Sequence, residues 1–138
     1  MDEAESPTDD MWALDRASRG LGMQLVRAGA GEAVLTMRIT EAMVNGHGIA
    51  HGGFIFALAD SAFAFACNSH GERAVAQHCS ITYLRPGRAG EMLRAEARER
   101  VRVGRSGMTD VRVLGEDGTV VAEMRGHSRT IPKEVPYG

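Results

Sequence analysis

The stretch that decides the fold reads Phe54-Ile55-Phe56-Ala57-Leu58-Ala59-Asp60-Ser61-Ala62-Phe63-Ala64-Phe65-Ala66-Cys67, and His51-Gly52-Gly53 precedes it. Apolar residues occupy every face of a helix drawn through this stretch, so we expect the rest of the fold to enclose it. A membrane span would need roughly 18 to 20 apolar residues and would seldom carry a central acid such as Asp60. The sequence therefore predicts a helix in the core of a soluble protein.

The segments around this helix predict an α+β fold. A short amphipathic helix from Met11 to Ala17 comes first, followed by a hairpin of Met23–Val26 and Ala33–Ile39 and a loop from Glu41 to Gly53. After the central helix, turn sequences separate four strands: Ala74–Leu84, Met92–Val103, Ser106–Leu114 and Thr119–Ile131. This order favours one long helix wrapped by a single curved antiparallel sheet.

One strand shows which of its faces should pack on the helix. In Met92–Val103, alternate residues are charged and their neighbours are apolar. We expect the charged set to face solvent and the apolar set to face the helix. The charged set is Arg94, Glu96, Arg98 and Arg100, and the apolar set is Leu93, Ala95, Ala97 and Val101.

Composition limits the classes of function. The 138 residues suit a single domain over residues 1–138, with residues 1–9 and 133–138 expected to be flexible. A net charge of −2 without a basic stripe argues against binding nucleic acid. The acidic N-terminus lacks the features of a signal peptide, so we expect a cytoplasmic protein. Cys67 and Cys79 have no metal-site spacing and are interpreted as buried reduced thiols.

Three segments resemble the hotdog-fold acyl-CoA thioesterases, most closely the phenylacetate-degradation group. They are residues Asn45–Gly53, Phe56–Ala64 and Ala66–Gly71, and the likeness in element order covers Leu14–Arg129. It implies the hotdog fold and hydrolysis of an acyl-CoA or aryl-CoA thioester, with phenylacetyl-CoA or a hydroxylated derivative as a candidate. Coenzyme A is then part of the substrate, and no cofactor or metal is implied. The resemblance also implies a homodimer with shared active sites, paired into a homotetramer.

The resemblance assigns roles to four residues. Asp60 matches the general base or nucleophile, Gly52 matches the glycine whose N–H polarises the thioester carbonyl, and the residues matching Asn45 and His51 support the site. Some relatives hold the attacking water with a Ser or Thr near the start of the next strand, but Val75-Ala76-Gln77 offers no hydroxyl. Gln77, Asn45 or the backbone would take that task.

The chemistry of Asp60 and Gly52 supports the roles that the resemblance implies for them. A buried, unpaired carboxylate such as Asp60 has a raised pKa and is a candidate base, although a carboxylate bonded to capping groups is the alternative. The open N–H groups at Gly52-Gly53 suit a developing oxyanion. Eight residues separate Gly52 from Asp60, which is about 12 Å along a helix. One site therefore needs a second chain with its helix antiparallel.

Further residues are candidates for contacts with the substrate. Gly53 lies at the helix start, and the arginines Arg85, Arg88, Arg102 and Arg105 near the strand turns suit the phosphates of coenzyme A or form a solvated charged edge. Arg105 is preferred, because Gly104-Arg105-Ser106-Gly107 adds open backbone donors around Ser106. His51 contacts the substrate or locks its own loop, and the spacing of His47 and His51 is a weak metal signal.

Two other functions stay open. A hotdog hydratase or dehydratase would pair His51 with Asp60 across the dimer for proton transfer at carbon. A non-catalytic acyl-CoA-binding protein would need no base at all. The phenylalanines Phe54, Phe56, Phe63 and Phe65 suit an aromatic or medium-length acyl group as well as a core.

Overall fold

A long helix packed against one antiparallel sheet forms the fold. The computed structural model describes residues 7–132, so the expectations for residues 1–6 and 133–138 lie outside the described residues. The helices are α1 (Asp9–Leu14), α2 (Arg16–Gly20) and α3 (Gly52–Cys67). The strands are β1 (Gln24–Gly29), β2 (Glu32–Arg38), β3 (Ala74–Tyr83), β4 (Met92–Val103), β5 (Ser106–Leu114) and β6 (Val120–Thr130). The predicted hotdog arrangement is confirmed, with the central helix and every strand close to its expected bounds.

The sheet has six strands in the order β1-β2-β4-β5-β6-β3, and every pairing is antiparallel. The strands curve around α3, which packs against their inner faces. β3 follows α3 in sequence but lies at the edge of the sheet, where β6 pairs with one of its sides. None of the helices in residues 7–132 combines the length and the hydropathy required to cross a bilayer.

The N-terminal segment differs from its prediction, because two short helices replace the single helix expected from Met11 to Ala17. The break falls at Asp15, whose carboxylate accepts hydrogen bonds from the Ser18 N–H (2.8 Å) and the Ser18 hydroxyl (2.7 Å). An aspartate that caps the next helix competes with continuation of the previous one. Thr8, within the segment expected to be flexible, is buried, and its carbonyl accepts the Trp12 N–H at 2.9 Å.

A β-bulge corrects the predicted faces of β4. The register of β4 on β5 shifts between Glu99 and Val101, so strict alternation stops there. Val101, expected to face the helix, is 45% exposed. The Glu99 side chain is 7% exposed and lies 2.8 Å from His70 Nε2. The first half of the strand follows the prediction, with Leu93, Ala95 and Ala97 buried.

Asn68 explains why α3 ends where it does. Its amide nitrogen donates to the carbonyls of Ala64 (2.8 Å) and Ala74 (3.1 Å), and its amide oxygen accepts the Ala74 N–H (2.9 Å). These bonds satisfy an open carbonyl of the last helical turn and attach the first residue of β3 to the helix. The helix therefore ends at Cys67, where the apolar stretch of the sequence ends.

The enclosure expected for α3 is incomplete in a single chain. Leu58 and Phe65, seven residues apart on one face, are fully buried, and the Phe63 ring is buried against Gly126 of β6. On another face a stripe keeps part of its surface open, consisting of Gly53, Phe56, Ala57, Asp60 and Ala64. Phe56 and Ala57 are adjacent, each lies three or four residues from both Gly53 and Asp60, and Ala64 follows Asp60 by four, so the stripe runs along one side of the helix. The described chain leaves this side of α3 only partly covered.

Gly126 makes room for the largest ring of the core. A Cβ atom at this position of β6 would lie 2.8 Å from Phe63 Cε1 and Cζ, and Phe63 is fully buried. We expect Gly126→Ala to lower the free energy of unfolding by about 1 to 3 kcal/mol, because the ring must shift within a packed core. Urea unfolding measures this loss. Gly29→Ala in β1 is the matched control, because nothing lies within 4 Å of its added Cβ. An equal effect of both substitutions would contradict the packing argument.

Candidate active site

The N-terminus of α3 presents one open backbone donor. His51 caps the helix, and its Nδ1 atom accepts the Gly53 N–H at 2.9 Å. The Phe54 N–H donates to the His51 carbonyl at 3.0 Å. Gly52, the first helical residue, donates to no described residue. Of these three N–H groups, Gly52 therefore offers the one available to a ligand, and Gly53 does not.

His51 thus has the loop-locking role that the sequence left open. Accepting through Nδ1 means that this nitrogen carries no proton, so a neutral ring holds its proton on Nε2. The His51 N–H also donates to the Met43 carbonyl at 2.7 Å. These bonds fix the entry to the helix and determine where the Gly52 N–H points.

Tyr83, which the sequence analysis did not single out, fixes Gly52 from the other side. Its hydroxyl donates to the Gly52 carbonyl at 2.9 Å, and an added Cβ on Gly52 would lie 3.1 Å from the ring carbon Cζ. A side chain at position 52 would thus press on the ring. Alternation along β3, which turns Cys79, Ile81 and Tyr83 toward the helix side, is the signal that identifies this residue.

Asn45 organises the loop that faces Gly52. Its side-chain oxygen accepts the N–H groups of His47 (2.9 Å) and Ile49 (3.4 Å), and its own N–H donates to the Ile49 carbonyl (2.8 Å). Its side-chain nitrogen makes no hydrogen bond to a described residue, which leaves a donor available. Asn45 and Gly52 line the same hollow of about 400 Å³, together with Ile49, Ala50, Ile55, Tyr83, Leu84, Arg85 and Pro86.

Asp60 lies in a different hollow, of about 270 Å³. The hollow is bounded by Met11, Phe63, Ala64, Cys67, Asn68, Ala74, Val75 and Ala76. The carboxylate has no hydrogen bond or ion pair to any described residue, so no group of the described chain caps it. Burial raises the pKa of Asp60 above its ordinary value of 3.8. An unpaired carboxylate in an apolar hollow has the properties of a general base or nucleophile.

One chain does not bring the two groups together. Gly52 and Asp60 belong to the same continuous helix, about 12 Å apart along its axis, and they line separate hollows. Each hollow therefore holds half of the expected chemistry: the Gly52 hollow has the backbone donor and the Asp60 hollow has the carboxylate.

Arg85 is engaged inside the protein. All five of its N–H bonds point to partners, namely the Thr119 hydroxyl, the Pro86 carbonyl, both oxygens of Glu91 and one of Asp117. This hydrogen bonding lowers the pKa of Glu91. Arg85 therefore shapes the wall of the Gly52 hollow and has no donor left for a phosphate.

The other residues predicted to contact the substrate, namely Arg105, Ser106 and Gln77, lie toward the opposite end of the sheet from Arg85. Arg105 donates through Nε to the Thr130 carbonyl at 3.0 Å, and its terminal nitrogens have no described partner. Ser106 is exposed at the start of β5. Gln77 is the extra residue of a β-bulge between Ala76 and His78, directly after a residue that lines the Asp60 hollow.

The structure also bears on the weak metal signal of the histidines and on the thiol of Cys67. Within residues 7–132, no group of three His, Cys, Asp or Glu side chains lies close enough to hold a metal ion. Cys67 is buried in the last turn of α3, where burial and the nearby Glu99 carboxylate raise the pKa of its thiol to about 12. Such a thiol stays protonated at neutral pH and is a poor nucleophile.

The chain resembles proteins of a known family. The family model of the thioesterase superfamily matches residues 47–122. The acyl-coenzyme A thioesterase PaaI of Escherichia coli K12 is 43% identical over 121 residues, which cover 88% of this chain and 86% of that protein. The family expected from the residues Asn45–Gly71 is thereby confirmed.

Two solved structures show the same fold. The PaaI protein from the phenylacetic acid degradation operon of E. coli has a TM-score of 0.90 at 41% identity, and the match covers 91% of each chain. The smu.793 protein of Streptococcus mutans UA159, solved with bound acetyl CoA, has a TM-score of 0.77 at 27% identity and covers 82% of this chain and 91% of that one.

The environment of Asp60 predicts a gain in stability when its charge is removed. Its raised pKa means that the folded state binds the proton more tightly than the unfolded chain, so stability falls as the pH rises through the interval above 3.8. We expect Asp60→Asn to raise the melting temperature at pH 7 by a few degrees. The gain should shrink as the pH is lowered and disappear below about 3.8, where the carboxyl group is neutral in both states.

Asp110→Asn is the matched control for this measurement. Asp110 accepts hydrogen bonds from Arg125 at 2.7 and 2.9 Å, and that partner lowers its pKa. Removing this charge should not raise the melting temperature at pH 7, because the ionised form is the stabilised one. A melting temperature of Asp60→Asn at or below the wild-type value at pH 7 would show that Asp60 is satisfied in the folded state.

Proposed function

The chain belongs to the thioesterase superfamily, and from this premise we propose that it hydrolyses an acyl-CoA thioester to a free acid and coenzyme A. One observation carries the proposal: Asp60, on the central helix, is a carboxylate without a partner in an apolar hollow. The E. coli relative named as an acyl-coenzyme A thioesterase supports the reaction class.

The proposed chemistry needs a base and an oxyanion donor. Asp60 takes a proton from water as the water oxygen attacks the carbonyl carbon, and the C=O electron pair moves onto the oxygen. The Gly52 N–H stabilises that oxyanion, with the helix dipole behind it. Collapse of the intermediate breaks the C–S bond and releases the thiolate of coenzyme A, which takes up the proton held by Asp60. Direct attack by Asp60, followed by hydrolysis of the resulting anhydride, is the alternative route.

Both routes require two chains, with Asp60 of one facing Gly52 of the other. The separate hollows and the partly open stripe on α3 support this arrangement. So does β3, an edge strand of ten residues without lysine, arginine or proline, which are the residues that usually guard an edge against pairing. Antiparallel pairing of two β3 strands about a twofold axis would reverse α3 in the second chain. Assembly of two such dimers into a homotetramer stays a prediction.

The side chains that keep a hydrogen-bond donor free are the candidates for contacts with the substrate and the attacking water. Arg105 keeps free terminal nitrogens for a phosphate of coenzyme A, with Ser106 next to it. Asn45 retains a free amide donor beside Gly52, and Gln77 lies at the bulge beside the Asp60 hollow, so these two are the candidates to position the attacking water. Phenylacetyl-CoA or a hydroxylated derivative is the proposed substrate, and the operon named for the E. coli relative supports it.

The hydratase loses support from the geometry of His51. To take a proton from carbon, the neutral ring needs a nitrogen with a free lone pair, but Nδ1 accepts the Gly53 N–H and Nε2 carries the ring proton. A purely binding protein would gain nothing from leaving Asp60 unpaired. Release of free thiol from a panel of phenylacetyl, hydroxyphenylacetyl, benzoyl and straight-chain CoA esters separates hydrolysis from both alternatives.

Asp60→Asn should keep the fold and lose on the order of 10²-fold or more in kcat, because the amide preserves shape and removes the base or nucleophile. In the wild type, kcat should fall as the pH is lowered toward the raised pKa of Asp60, since the ionised form is the active one. Thiol release measured across pH checks both statements. Asp110→Asn, on the outer face of the sheet, is the control and should keep native turnover. Native turnover in Asp60→Asn would overturn the assignment.

Mixed dimers test whether a site draws on two chains. Gly52→Val should also be inactive, since its Cβ meets the Tyr83 ring at 3.1 Å and its branch obstructs a donor whose loss typically costs roughly 2.7 to 4 kcal/mol. In a heterodimer of Asp60→Asn and Gly52→Val chains, one site carries both changes and the other carries neither. Co-expression should therefore restore about half of native activity per heterodimer. Purified heterodimers without activity would place both groups in one chain.

A further inference from the structure

We propose that Met11, on the N-terminal helix α1, is the end wall of the acyl pocket and sets the largest acyl group that the enzyme accepts. This inference rests on the proposed function, in which Asp60 acts on a thioester. Met11 is the residue of α1 that lines the Asp60 hollow, and α3, Asn68 and the start of β3 supply the other described lining residues.

The lining suits a hydrocarbon group. Phe63, Ala64, Val75 and Ala76 present apolar atoms to the hollow. Asn68 is the polar exception besides Asp60, but its amide groups are used by the backbone of Ala64 and Ala74. Cys67 remains a neutral thiol because its pKa is raised to about 12. A charged or strongly polar ligand would lose its hydration here without gaining partners.

The bonding of the substrate assigns this hollow to the acyl group. The carbonyl carbon that reacts beside Asp60 carries an oxygen, a sulfur and the acyl group. The oxygen turns to the Gly52 N–H, and the sulfur leads to coenzyme A, whose polar phosphates require solvent or cationic partners. The remaining substituent is the acyl group, which must occupy the space next to the carboxylate. The apolar hollow is that space.

The size of the hollow explains why Met11 would limit the length of the acyl group. An engineered cavity of roughly 150 Å³ holds benzene. The Asp60 hollow of a single chain, at about 270 Å³, has room for one aromatic ring with a short linker beside Met11. Methionine is unbranched and flexible, so the Met11 side chain can occupy space in the hollow that a shorter residue would leave open. Trp12, packed edge-on against Phe65 with ring centroids 5.8 Å apart, holds the helix that carries Met11.

The test measures kcat/KM for acetyl-, phenylacetyl-, octanoyl- and decanoyl-CoA. Met11→Ala should raise the octanoyl to phenylacetyl ratio about tenfold or more, as expected when an apolar pocket gains room for further methylenes. Met11→Val should shift the same ratio less, in the same direction. Met11→Trp fills the hollow and should lower the phenylacetyl to acetyl ratio by a similar factor.

Leu14→Ala is the matched control, because Leu14 lies on the same helix, is 78% exposed and does not line the hollow. Its ratios should equal those of the wild type. Unchanged ratios in Met11→Ala and Met11→Trp, with Asp60→Asn still inactive, would overturn the role of Met11 and leave the proposed reaction intact. Full turnover by Asp60→Asn would instead overturn the reaction itself. If Met11→Ala does not fold, the smaller change in Met11→Val and the filled pocket in Met11→Trp decide the question.

Discussion

The packing of α3 against the curved sheet is the constraint on which the other features depend. Leu58 and Phe65, seven residues apart, bury one side of the helix, and Gly126 of β6 supplies the space for the Phe63 ring, which is buried nearer to Asp60. With this side fixed, the helical period turns Asp60 to a different side, where no described residue pairs with it. Core packing thus holds the carboxylate in place without any bond to the carboxylate itself.

The two ends of α3 are fixed by different chemistry. At the start, the His51 ring accepts the Gly53 N–H and Tyr83 donates to the Gly52 carbonyl, so the peptide between these glycines is held at both of its polar groups. At the other end, Asn68 joins the last turn to the first residue of β3. These contacts fix the positions of the Gly52 N–H and of the wall of the Asp60 hollow relative to the same helix, α3. A functional group on a clamped helix needs little reorganisation during a reaction.

Local patterns predict most of the fold, because a buried helix and alternating strands are encoded in neighbouring residues. The bounds of α3 and β4 and the pairing of β1 with β2 follow from such patterns. Strict alternation cannot predict an inserted residue, so it placed Val101, which follows the β-bulge between Glu99 and Val101, on the wrong face. Helical spacing likewise predicted one continuous helix through Asp15, because in the sequence a residue that caps a new helix cannot be distinguished from a polar surface residue.

The site was predictable where it depends on one segment and unpredictable where it depends on distant contacts. Asp60 lies within the stretch that decides the fold, and His51 and Gly52 directly precede it. The engagement of Arg85 by Glu91 and Asp117 requires two turns to meet, and the contact of Tyr83 with Gly52 requires β3 to pass the start of α3. The spacing of residues along the sequence does not predict these contacts between distant segments.

The proposed dimer gives a common explanation for two features that are unfavourable in an isolated chain. Phe56, Ala57 and Ala64 leave apolar surface partly open on the same side of α3 as Asp60, and β3 leaves a strand edge without guarding charges. Apolar surface and an unguarded edge both favour association. Because β3 follows α3 and is attached to its last turn through Asn68, a second copy that pairs with this edge also approaches the open side of the helix. Pairing at the strand would bring the Gly52 end of one helix toward the Asp60 region of the other. In the proposed dimer, the separation of the two groups within one chain follows from building each site between two chains.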